Sequence, residues 1–297
     1  MSAKQSLFKK NAKSFSFAAL ILDKSTVQKI TILYEFCRVV DDIADESVDP
    51  ITAKNMLNNI KIDIEQKYSD QKMIYDFIKF LAVETIETNY VLDLLTGVIS
   101  DCNDNVKIEN ETELLNYSYR VAGTVGAMMC SVLGVQERNM KAAIIPAIHL
   151  GIAMQLTNIA RDIKEDAQNK RIYIPQSWQT LTSLMLVNKP LSLESDASMA
   201  CKKLLDIADL YYDSSKTGYA YLPLRSRFCI LIASTIYRAI GQKIRRNHYK
   251  YWEGRVYLNT LEKIFQLIIA LPNILLPYFW SAQKYCDTNL YIGNPNA

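Results

Sequence analysis

Apolar residues recur three and four positions apart along nearly the whole chain, the spacing of one face of an α-helix. Few residues interrupt that pattern. Only 9 Gly and 8 Pro occur in 297 residues, too few for the many tight turns of a sandwich or barrel. At 49% hydrophobic the chain is also too apolar to stay disordered. The expectation is a single all-α domain over 1–297, with helices around a central cavity. The periodicity predicts helices over 26–45, with Ser25 and Thr26 as caps, and over 55–68, 73–87 and 90–100. Further helices are expected over 114–133, with Gly134 as the stop, then over 141–166, 197–214 and 228–246. A first apolar segment covers 14–21, and 176–195 reads as a loop.

Charge and cysteine usage narrow the function. The net charge is only +3, but 216–263 carries ten basic residues against Glu253 and Glu262. Such a run is either a solvated helix face or a surface that meets an anion. No nucleic-acid-binding motif accompanies it, so nucleic acid is not expected as a partner. The six cysteines are scattered without a C-x-x-C pair, which points to a reducing, cytoplasmic compartment. His149 and His248 sit in no zinc-ligand or triad pattern. The first ten residues lack the apolar core of a signal peptide. The stretch 261–280 is apolar but broken by Glu262, Lys263, Gln266, Pro272, Asn273 and Pro277, and so fails as a spanning helix. It is expected either as a core helix or as a peripheral membrane contact anchored by Phe265, Tyr278, Phe279 and Trp280.

Two acidic stripes carry the chemistry. Residues three and four apart share a helix face, so Tyr34, Arg38, Asp41 and Asp45 form one stripe. Gln155, Asn158, Asp162 and Asp166 form another, with Arg161 beside it. Each stripe ends an apolar helix, where acids are unfavourable with the helix dipole and ask for compensation. Mg²⁺ suits such oxygen ligands, and it commonly binds through one or two carboxylates plus substrate phosphate. Asn158 adds a neutral carbonyl oxygen where a further anion would be costly. Two stripes opposed across a bundle would hold two or three ions bridging a diphosphate.

With both stripes in view, the chain resembles the squalene and phytoene synthase family. The resemblance runs from Lys13 to about Lys263. It is strongest in Lys13-Ser14-Phe15, 34–45, 117–126, 155–166 and 171–175. Within the family, 156–163 and 221–226 look more like bacterial and plant phytoene synthases than squalene synthases. The resemblance implies an isoprenoid-synthase helical bundle that couples two prenyl diphosphates head to head, with geranylgeranyl diphosphate as substrate. It implies Mg²⁺, or Mn²⁺ in its place, held by Asp41, Asp45, Asn158, Asp162 and Asp166. No nicotinamide is expected, and other carotenoid-pathway enzymes are expected neighbours. It places Arg38, Tyr117, Gln155, Arg161 and Tyr237 at the reacting groups, and Lys13, Ser14, Phe15, Tyr34, Val121, Val125 and Arg255 around the substrate. Asn11 stands where some relatives carry His, so a diphosphate contact there is not carried over.

Carbocation chemistry needs dry, apolar walls. Phe15, Tyr34, Val121, Val125, Met128, Met129 and Leu150 are the expected tunnel lining. Gly123, Gly126 and Gly151 sit inside helical stretches, either to let prenyl chains approach the backbone or to allow tight helix packing. Ala19 and Thr31 are small residues near Phe15 and Tyr34, and are expected to leave room for C20 chains. The rival readings are a C15-using dehydrosqualene or squalene synthase and a non-catalytic scaffold relative.

Overall fold

The computed structural model describes residues 21–275 except 104, 191, 193 and 194, together with 287 and 290. Lys13, Ser14, Phe15, Asn11, Ala19 and Tyr278 to Trp280 lie outside the described residues.

Helix α1 spans Lys24–Glu46 and is capped by Asp23, whose carboxylate accepts from the Thr26 amide at 2.9 Å. The expected caps Ser25 and Thr26 are inside its first turn. An acceptor three residues before the amide it serves is the usual N-cap geometry, and Asp23 has it. Helix α2, Pro50–Gln66, begins five residues before the expected start, because Asp49 caps it and Pro50 fits the first helical position. Helix α3, Lys72–Val83, stops four residues short of expectation, and Thr85 there takes a positive φ of 52°. Helix α4 covers Thr88–Asp101. Phe36 of α1 stacks on Phe77 of α3 with ring centroids 3.8 Å apart. With Leu33 and Val40 also buried, this contact fixes the rotation of α1.

The expected helix over 114–133 is three pieces. Helix α5, Glu111–Ser118, is capped by Asn110 and places Glu111 and Glu113 in its first turn, where the dipole favours acids. A π-helical turn follows over Tyr119–Gly123, then α6 over Thr124–Val132. Gly134 ends this run as expected, at φ 82°, with the Val135 amide donating to the Cys130 carbonyl at 3.0 Å. Two short strands were not foreseen. β1, Val106–Lys107, pairs in parallel with β2, Arg171–Ile172.

Helix α7, Met140–Gln168, is the axis of the bundle. It is long and apolar enough by composition to cross a membrane, but more than half of that apolar stretch is buried inside the protein. The π turn, α6 and three further helices pack around it: α8 (Ser183–Val187), α9 (Asp196–Ser215) and α10 (Leu224–Arg246). A helix apolar on all sides is stable only when so enclosed. Helix α8 falls within 176–195, so that segment is not wholly loop.

Helix α11, Thr260–Leu275, packs on α10 with its polar side inward. Glu262 pairs with Lys243 of α10 at 2.8 Å, while Leu261, Ile264, Phe265, Ile268 and Ile269 are 42–77% exposed. These side chains do not form the core helix that was one of the two expectations for 261–280.

The helical glycines serve packing. A Cβ on Gly126 would run into the Ala147 carbonyl, and one on Gly151 into the Ala122 carbonyl, so α7 touches α6 and the π turn backbone to backbone. At Gly123 the nearest obstacles are side chains, Ile148 and Tyr119, at 3.1 Å. Gly126→Ala or Gly151→Ala is therefore expected to force the helices apart at a cost of about 3 kcal/mol, with Gly123→Ala costing clearly less. Equal losses in thermal denaturation at all three sites would contradict this packing.

Candidate active site

Both stripes face one polar cavity of about 330 Å³. Helix α1 contributes Arg38, Asp41 and Asp45, and α7 contributes Gln155, Asn158, Arg161, Asp162 and Asp166. Three polar lining residues were not among the expected site residues: Asp101, which ends α4, and Arg171 and Tyr173, in and just after β2. The parallel pairing of Val106 with Arg171 brings that segment beside the end of α4. Asp101 accepts from the Tyr117 hydroxyl at 2.7 Å and from the Tyr173 hydroxyl at 2.8 Å, and the two tyrosine rings stack at 4.8 Å. Asp101 did carry a signal, as an acid closing an apolar helix. Arg171 and Tyr173 lay within a stretch that resembles the family, but nothing local marked their side chains.

The arginines are already engaged with the acids. Arg171 pairs with Asp45 at 2.8 Å. Arg161 forms a two-pronged pair with Asp162, at 2.8 and 2.6 Å. Arg255 reaches the same Asp162 at 3.1 Å and Glu165 at 3.4 Å, so the basic C-terminal run does contribute to the site. Arg38 lines the cavity but pairs with Asp42, one residue off the stripe, at 2.6 Å.

Five carboxylates in one cavity cannot all ionise freely. Burial, then the charge of Asp45 and Asp101, pushes the Asp41 carboxyl up to about 7. Asp41 lines this cavity yet remains exposed, so solvent moderates the shift. Burial and Asp162 push Asp166 up to about 8. Burial raises Asp101 to about 6, against the two tyrosine hydrogen bonds that favour its ionised form. Among the described residues no three His, Cys, Asp or Glu side chains converge closely enough to hold a metal by themselves. The buried Asn158 Oδ1 has no hydrogen-bond partner among the described residues, although it lines this acidic cavity. An unpaired carbonyl oxygen beside raised carboxyls fits a hard cation whose remaining ligands come from substrate oxygens.

A second cavity of about 300 Å³ is almost wholly apolar and meets the first at Gln155 and Asn158, which line both. Val121, Val125, Met129 and Leu150 line it as expected. Met128, 1% exposed, belongs to the core instead. Tyr34 is half-buried against the core and lines neither cavity. Thr31 lines neither cavity; its hydroxyl donates back to the Val27 carbonyl at 2.7 Å. Proximity in sequence to Tyr34 did not bring Thr31 to the tunnel. Tyr237 lines the apolar cavity, and burial raises its hydroxyl while the charges of Arg161 and Arg255 pull it down.

Residues 8–262 match the model of the squalene/phytoene synthase family. The chain is 33% identical over 271 residues to a 15-cis-phytoene synthase of Enterobacter agglomerans, covering 87% of this chain and 90% of that one. It is 33% identical over 272 residues to a 15-cis-phytoene synthase of Pantoea ananas, covering 87% of each. Among solved structures it is similar to a ligand-bound dehydrosqualene synthase, at TM-score 0.79 and 27% identity, over 91% of this chain and 95% of that one. With the helical bundle and its paired acidic stripes, these matches show that the chain belongs to the squalene/phytoene synthase family, whose members are prenyltransferases.

Proposed function

We propose that the protein is a 15-cis-phytoene synthase, coupling two geranylgeranyl diphosphates head to head in carotenoid biosynthesis. The observation that carries this reading is the joined pair of cavities, one acidic and one apolar, sharing Gln155 and Asn158. A prenyl diphosphate has the same two halves. The relatives named 15-cis-phytoene synthase support the C20 substrate. The resemblance to a dehydrosqualene synthase keeps C15 as the competing outcome.

Asp41 and Asp45 on one side, and Asn158, Asp162 and Asp166 on the other, are the residues that would hold Mg²⁺ or Mn²⁺. Such ions, when bound, would supply positive charge against the diphosphate as it departs. The protein's own cations add to that: Arg161, Arg171 and Arg255 line or border the cavity and can turn from their carboxylates to phosphate oxygens. The donor ionises to an allylic cation, the acceptor's C2–C3 double bond captures it, and the tertiary cation so formed closes to a cyclopropylcarbinyl diphosphate as the donor's C1 loses a proton. That intermediate ionises, rearranges to the 1′–1 linkage and loses a proton to form the central triene. Tyr237 and the released diphosphate are the two candidate proton acceptors. Val121, Val125, Met129 and Leu150 keep water from the cations.

The exposed apolar face of α11 supports a peripheral membrane contact, where an apolar product can leave toward other carotenoid-pathway enzymes. A cytoplasmic location is part of the same proposal, supported by the five free cysteines among the described residues.

Purified protein with Mg²⁺ and geranylgeranyl diphosphate is expected to yield phytoene, identified by mass, and Asp166→Asn to slow it by about 10²–10³-fold. Product from farnesyl diphosphate alone would move the assignment to C15, and no product from either would leave a scaffold. Flotation with lipid vesicles is expected to carry the protein up, and to lose it in Phe265→Asp; unchanged flotation would remove α11 from the contact.

The raised carboxyls set a pH dependence. Asp41 and Asp166 hold protons more tightly folded than at their ordinary value of 3.8. Their contribution to stability is thus full below that value and lost as pH rises toward 7 and 8. Without divalent metal, the thermal midpoint is expected to fall from about pH 6 to about pH 8, beyond any slope left in Asp166→Asn. Mg²⁺ should flatten the fall by displacing the protons. A metal-free midpoint that rises over this range in the wild type alone would contradict the assignment.

A further inference from the structure

The apolar cavity follows one face of α7. Asn158, Met154, Leu150, Ala147 and Ala143 all line it, one residue per turn. Asn158 and Ala143 are 15 positions apart, or about 22 Å of helix axis at ~1.5 Å per residue. The far end is closed by Leu133, Val135, Ala143 and Ile230, none more than 9% exposed. The Ser226 hydroxyl donates to the Leu133 carbonyl at 2.8 Å and pins that floor to α10.

The pitch of the helix and the repeat of the ligand nearly coincide. With carbon–carbon bonds of about 1.5 Å, an extended isoprene unit adds about 5 Å. One turn of α-helix rises about 5.4 Å. Four isoprene units, about 20 Å, therefore run from the polar junction to Ala143. Three units, about 15 Å, end beside Ala147, which is 11 positions or about 16 Å from Asn158.

We infer that α7 is the chain-length ruler of this enzyme, with Ala147 the position a C20 chain must pass and Leu133, Val135 and Ala143 its stop. The inference rests on the synthase reading above and adds which residues choose the chain. The ordinary alternative is that Ala147 is a packing residue. Its carbonyl does pack, against Gly126, but the residue also borders the cavity and is only half-buried. A larger side chain there has the cavity to enter.

The test compares kcat/KM for C15, C20 and C25 prenyl diphosphates in the wild type, Ala147→Phe and Leu133→Ala. Each variant's fold is checked by its thermal midpoint. Ala147→Phe is expected to lower the C20-to-C15 ratio by about 100-fold, within the discrimination that a few methylenes provide. A change of less than about tenfold overturns the ruler. If Ala147→Phe does not fold, Leu133→Ala decides: lowering the floor is expected to raise C25 turnover at least about tenfold, and a smaller rise overturns the ruler. Wild-type protein inactive on all three substrates removes the synthase reading itself. That outcome is distinct from an active enzyme whose selectivity ignores Ala147.

Discussion

The site depends on the repulsion among Asp41, Asp45, Asp101, Asp162 and Asp166, gathered into one half-enclosed cavity. Asp101, Asp162 and Asp166 are only partly exposed, so water screens them weakly and the fold must compensate the cluster locally. It does so in three ways. Arginines cover Asp45 and Asp162, tyrosine hydroxyls hold Asp101, and raised proton affinity neutralises Asp41 and Asp166. Each is reversible. A proton can leave and an arginine can turn, so cations and a diphosphate can take their places without remodelling the helices. The same arrangement explains why no complete metal shell forms among the described residues. On the proposed reading, the remaining oxygens would come from the substrate.

Helix α7 ties this charge cluster to the hydrocarbon site. Its C-terminal turns carry Asn158, Asp162 and Asp166, and its middle turns line the apolar cavity. Backbone contact with the π turn and α6 through Gly126 and Gly151 fixes both at once. A shift of α7 along its axis would move the metal ligands and the tunnel floor together. On the proposed reading, the helix would set both where the diphosphate sits and how far the chain reaches below it.

Much of this was legible in the sequence, and the failures have physical reasons. The two stripes follow from helical period alone, because residues three and four apart share a face whatever packs outside. Their meeting across one cavity, with Tyr117 and Arg255, followed from the family resemblance rather than from spacing. Asp101 was passed over because no second acid stands three or four residues before it on its own helix to make a stripe. Arg171 and Tyr173 enter through a parallel pairing between residues 106 and 171, a long-range contact that local pattern does not encode. The π turn lengthens one turn without disturbing the apolar pattern. Thr31 was chosen for its nearness to Tyr34, yet its hydroxyl binds its own helix. The glycines were read with two alternatives, and Gly126 and Gly151 resolve to backbone packing because carbonyl oxygens occupy the space a Cβ needs.

The most direct test of the joined-cavity account is a crystal structure with Mn²⁺ and an unreactive thio analogue of geranylgeranyl diphosphate, using anomalous scattering to locate the metal. The account predicts Mn²⁺ between the Asp41/Asp45 and Asn158/Asp162/Asp166 stripes, with the prenyl tail passing Gln155 and running along α7 toward Ala143. Metal bound away from both stripes, or a tail lying outside the apolar cavity, would contradict it.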